Sequence, residues 1–131
     1  MKKQTIKNTP SKSGLKVSRL FTDAKKSPFD HFKYQTRSSV IRNPSGDEVF
    51  RMDHVEVPAG WSQVATDILA QKYFRKTGVN GKDAVGESEN SIKQVAHRLA
   101  NCWKDWGTKY GYFQSPADAE AFYDEIVFML L

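Results

Sequence analysis

The residues able to do chemistry are few and scattered. His31, His54 and His97 are well separated, with no HExxH helix pattern and no CxxC pair. Cys102 is the only cysteine, so no zinc set can form within the chain. Cys102 falls on an apolar helical stripe, where a thiol usually behaves as a small hydrophobe. Asp124 and Glu125 are adjacent, so on a helix they diverge and do not form an acid/base pair. Gly78, Gly81 and Gly86 are not followed by the GK[ST] of a phosphate loop. Trp61, Trp103 and Trp106 could stack on a base or ring cofactor, but at helical spacing they read as core. No residue is therefore assigned a catalytic, cofactor-binding or metal-ligating role.

The elements that would position these residues read as follows. Residues 1–14 are polar, basic and aperiodic, and are expected to be disordered and dispensable. An irregular lead-in follows, with a short strand near Leu15–Phe21 and an interruption at Pro28. Two β-compatible runs, Phe32–Arg42 and Glu48–Val57, flank Asn43-Pro44-Ser45-Gly46-Asp47, whose residue types favour a turn. Their alternation is imperfect, and a hairpin is predicted. Trp61–Lys76 reads as a helix with Trp61, Val64, Ala65, Ile68, Leu69, Lys72 and Tyr73 on one face, stopped by Gly78. Residues 78–90 read as a loop.

A second helix, Ser91–Gly107, carries the stripe Ile92, Val95, Ala96, Leu99, Cys102, Trp103 and Trp106, with Ser91 or Ser88 as its cap. A third opens at Ser115-Pro116-Ala117-Asp118 and runs to Leu131. The short link between these two makes them antiparallel neighbours, with Val95, Leu99, Trp103, Phe122 and Ile126 at the seam. Ile126–Leu131 is apolar on every side, so Val127, Phe128, Leu130 and Leu131 cannot all face that seam. The segment is expected to need cover from a larger body. The fold class is α+β, a hairpin followed by three helices.

Charge divides the chain: residues 1–42 carry a net +9 and residues 43–131 a net −4, giving the overall +5. The basic character belongs to the leading segment, which argues against a nucleic-acid-binding face on the folded part. No run of about 20 apolar residues could cross a bilayer. The lysine-bearing N-terminus has no apolar stretch behind it, and a lone cysteine suits a reducing compartment. A cytoplasmic protein is expected.

Several stretches together resemble adenosylcobalamin-dependent (class II) ribonucleotide reductases. They are Leu15–Thr22, Ser27-Pro28-Phe29, and the long run Val55-Glu56-Val57-Pro58-Ala59-Gly60-Trp61-Ser62-Gln63 through Ala65-Thr66-Asp67-Ile68 to Lys72-Tyr73-Phe74-Arg75-Lys76. Glu87 with Ser91, Arg98 to Trp106-Gly107, Gly111-Tyr112-Phe113, and Asp118-Ala119 through Tyr123-Asp124-Glu125 to Met129-Leu130 keep the pattern. The resemblance implies reduction of ribonucleotides, as in a ribonucleoside-diphosphate reductase, through a radical generated from adenosylcobalamin. It also implies that residues 15–131 form the domain preceding the radical barrel, which holds the catalytic cysteines and the cobalamin contacts. The loop after Gly78-Val79 is shorter than in many relatives. On this reading the segment is structural, binds no cofactor itself, meets the ribonucleotide only within the full enzyme, and packs its last helix on the barrel. The other classes consistent with the residues are an adaptor that associates with a reductase and a small nucleic-acid-binding protein.

Overall fold

The computed structural model describes residues 13–79 and 87–131. Element order is a 3₁₀ turn at Pro28–His31, β1 Tyr34–Arg42, β2 Glu48–Pro58, α1 Gln63–Ile68, a π-helical turn Leu69–Tyr73, α2 Ile92–Lys109 and α3 Pro116–Leu130. The α+β hairpin-and-helices arrangement read from the sequence is the one observed. Most of the expected disordered tail lies outside the described residues. Its last two residues do not: a Cβ on Gly14 would lie 2.4 Å from the Phe113 carbonyl carbon, so this backbone approach requires glycine.

β1 and β2 pair antiparallel, with the turn closed by the Asn43 side chain accepting from the Asp47 amide. The imperfect alternation in β2 has a structural cause. Arg37 pairs with Val55 and Ser39 with Met52, so β2 carries one extra residue there. His54 within the bulge has φ 60°. The insertion switches parity, placing Phe50 and Met52 before it and Val55 and Val57 after it on the same core face.

The first helix departs from its predicted form. Ser62 caps it, accepting from the Ala65 amide, but after Ile68 the chain widens into a π turn closed by the Phe74 amide donating to the Leu69 carbonyl. The widened turn rotates Leu69, Ala70 and Phe74 into the core beside Val55 and Val57. Val64, Ile68 and Tyr73, read as members of one apolar face, are 66%, 50% and 57% exposed. The helix ends at Tyr73, well before Gly78, and the Lys76 ammonium donates to the Ala70 carbonyl near its end. Burial lowers the pKa of that ammonium.

α2 begins at a capping box between Ser91 and Gln94, while the Ser91 hydroxyl donates to Glu56 at 2.6 Å. The Glu56 amide donates to the Asn90 carbonyl, fastening the hairpin to the start of the helix. The α2–α3 seam keeps Ile126 from the predicted set but is built on other residues. Ala96 and Ala100 pack with Val127, flanked by Tyr123 and Ile126, because a small-residue column lets the two backbones approach. Val95 instead joins the hairpin core, and the Phe122 ring packs tilted against Phe113. Trp103 and Trp106 are 39% and 57% exposed, so they are not core residues.

Gly107 does not end α2, which continues to Lys109; the left-handed glycine beyond it is Gly111. Gly107 is buried, and a Cβ there would lie 2.4 Å and 2.8 Å from ring atoms of Phe113. Gly107→Ala should therefore destabilise the fold by about 1–3 kcal/mol through overpacking, with a fall in Tm of roughly 3–6 °C for each kcal/mol. Trimming the obstacle with Phe113→Leu in the Gly107→Ala background should recover part of the loss in a thermal melt.

Candidate functional site

Two features of the surface could carry function. One is a set of carboxylates on α3 that holds the lead-in; the other is an apolar groove between the first helix and α2. Ser115 caps α3 and also donates to Asp118 at 2.5 Å. Asp118 then accepts from the Val17 amide at 2.8 Å, and Asp124 pairs with Arg19 at 2.5 Å. Glu125, almost wholly buried, accepts from the Phe21 and Thr22 amides and the Thr22 hydroxyl. Asp124 and Glu125 do diverge, as adjacency on a helix requires, yet both grip the same strap of chain. At the start of the lead-in the Leu15 amide donates to the Tyr112 carbonyl and the Gln114 amide donates to the Leu15 carbonyl, so the expected strand near Leu15–Phe21 reduces to a single parallel bridge between Leu15 and Phe113.

The groove has a volume of about 350 Å³ and an almost entirely apolar lining. Trp61, Ile68 and Tyr73 form one wall, Val95 and Leu99 the other, and Leu130 closes one end. A buried carboxylate, Glu89, joins the walls: it accepts from the Arg75 amide at 2.9 Å and from two nitrogens of Arg98 at 3.0 Å. Arg98 also donates to the Tyr73 carbonyl. Burial pushes the Glu89 pKa up, but the bonds from Arg98 and the Arg75 amide outweigh it and hold it below the usual value. At the closed end the Trp61 indole donates to the Leu131 carbonyl at 2.7 Å.

The residues singled out from the sequence are not brought together. His31 lies against the Phe128 ring, His54 is exposed at the bulge, and His97 bonds the Tyr123 hydroxyl at 2.8 Å. Cys102 is half-buried with a free thiol. Gly81 and Gly86 lie outside the described residues. Among the described residues no three His, Cys, Asp or Glu side chains are placed to hold a metal. No helix among them is long and apolar enough to cross a membrane. Sequence reasoning missed Asp118, Glu125 and Glu89 as anchors. The only sequence signal was their acidic character inside otherwise apolar helical faces or at a helix start.

Comparison with known proteins follows the same lines. The family model described as class II vitamin B12-dependent ribonucleotide reductase matches residues 35–131, and this chain belongs to that family. A vitamin B12-dependent ribonucleotide reductase of Bradyrhizobium diazoefficiens is 42% identical over 144 residues, covering 88% of this chain and 12% of that protein. Those of Agrobacterium fabrum and Streptomyces clavuligerus are 38% and 34% identical, covering 88% and 95% of this chain. The chain spans 11–13% of the length of these relatives and corresponds to their N-terminal segment.

The groove does not fit a corrin. Its only polar side chains are Trp61, already committed to Leu131, and Tyr73. A corrin's amide-bearing rim and nucleotide tail require many hydrogen-bond partners, and a ribonucleotide's phosphates require cations or convergent amides.

The strap gives a pH signature. Asp118 is held below the ordinary carboxylate pKa by bonds from Ser115 and the Val17 amide. At Glu125 burial pushes upward, but bonds from Thr22 and the Phe21 amide outweigh it, so the net shift is downward. Carboxyls depressed on folding contribute stability that is complete above their unfolded values, near pH ~4, and declines as pH falls through the folded values. Urea stability should be flat between about pH 7 and 5 and drop below about pH 4. Glu125→Gln at neutral pH should cost about 1–3 kcal/mol and speed hydrogen exchange at the Phe21 and Thr22 amides.

Proposed function

We propose that this chain acts as the structural N-terminal segment of an adenosylcobalamin-dependent ribonucleotide reductase, which reduces ribonucleotides to deoxyribonucleotides for DNA synthesis by a radical mechanism. In that enzyme the radical, the cofactor and the reducing thiols belong to the barrel. The segment supports the barrel and carries none of the reacting groups. One observation carries the reading: a chain matching an eighth of its relatives' length has a groove of carbon-rich walls with no convergent acid, base, thiol or cation in it. Cys102 is the only thiol, so a reducing pair cannot be assembled here.

The family role is tested by exchange. Replacing the matching N-terminal segment of the Bradyrhizobium diazoefficiens reductase with this chain should yield a folded enzyme that forms deoxyribonucleotide with adenosylcobalamin and a dithiol. Deleting the segment should abolish or sharply lower that activity, and this chain by itself should give none. Full activity after deletion, or turnover by this chain alone, would contradict the role.

A further inference from the structure

We infer that the groove between the first helix and α2, together with the aromatic face that continues from it, is the seat for the stretch of reductase polypeptide that follows the Leu131 position. The inference rests on the role proposed above and names the surface and its occupant.

Position is the first argument. Leu130 lines the groove, and Leu131 packs against both core clusters, with its carbonyl held by Trp61. The family match runs to residue 131, and the matched segment is 12% of the Bradyrhizobium diazoefficiens reductase. In such a protein the polypeptide after this position emerges at the mouth of the groove, so the effective concentration of that stretch there is very high.

The character of the surface is the second argument. Ile68 and Tyr73 stand half-exposed on one wall. On the other, Leu99, Trp103, Trp106 and Tyr110 follow at helical spacing along one side of α2, and the last three are exposed. Large aromatic side chains flanking an apolar trough are the composition of a protein-binding centre, and a contiguous surface of this kind is rarely left to water. The π turn keeps Ile68 and Tyr73 outward, and the Arg98–Glu89 pair fixes the spacing of the walls.

The test uses this whole chain and a synthetic peptide of about 20 residues, long enough for some 30 Å of helix, copied from the residues after the Leu131 position in the Bradyrhizobium diazoefficiens enzyme. Binding is read by tryptophan fluorescence and by calorimetry. The wild-type chain should bind saturably, and Ile68→Asp and Trp106→Asp should each weaken binding about tenfold or more. Val49→Asp, an equally exposed site on the hairpin, should bind as wild type. Thermal melts confirm that the variants fold. Absence of saturable binding, or equal binding by all variants, overturns the assignment. An Ile68-dependent dimer in sedimentation that excludes the peptide would also overturn it, giving the groove to a second copy. Failure here with an active exchange chimera removes the groove assignment and leaves the family role intact; an inactive chimera removes the role itself.

Discussion

Helix α3 is the member on which the rest of this structure hangs, and the buried carboxylate of Glu125 is its most consequential group. An unpaired carboxylate in that position would be strongly unfavourable, so it is tolerated only because two amides and a hydroxyl of the lead-in converge on it. The converse also holds: the lead-in has little regular structure, and its amides are satisfied by Asp118 and Glu125, not by a sheet. Acid and strap each supply what the other lacks. With the strap in place, Phe21, His31 and Phe32 surround Phe128, covering a face of α3 that neither α2 nor the hairpin reaches.

This arrangement explains how a helix apolar on every side is accommodated. Of the four residues that could not all face the seam, Val127 is fully buried against Ala96 and Ala100, and Phe128 is covered by the strap. Leu131 bridges the two core clusters. Met129 and one side of Leu130 are what remain, and Leu130 borders the groove. The apolar surface that stays exposed lies mainly at the groove and the outer face of α2, with Met129 on α3.

Much of this architecture was legible in the residues. Asn43 to Asp47 marked the turn, Ser91 and Ser115 marked two helix starts, and Pro116 fixed the first turn of α3, because these features depend on local chemistry. What escaped reading depends on a single residue of slippage. The extra residue at the β2 bulge reverses which side chains face the core, and the π turn does the same to the first helix. Periodicity rules assume constant twist and cannot register either shift. The seam was misplaced for a different reason: large apolar residues attract assignment to a core, whereas Ala96 and Ala100 make the close contact and Trp103 and Trp106 face outward. The acids went unassigned because each bonds a backbone amide far away or across a loop, and such amides leave no mark in composition.

The π turn and the alanine seam are what leave an apolar and aromatic surface on the molecule. A regular first helix would have turned Ile68 inward, and a seam built on Trp103 would have hidden the aromatic face. In a family whose members are about eight times longer than this chain, the account holds that this surface is covered by the body of the enzyme. Hydroxyl-radical footprinting of Ile68, Tyr73, Trp103 and Trp106 tests that most directly, comparing the free chain with the same chain exchanged into the Bradyrhizobium diazoefficiens reductase. The account predicts ready labelling of all four when free and strong protection in the full enzyme, with Val49 labelled equally in both. Undiminished labelling of the four side chains in an active chimera would contradict it.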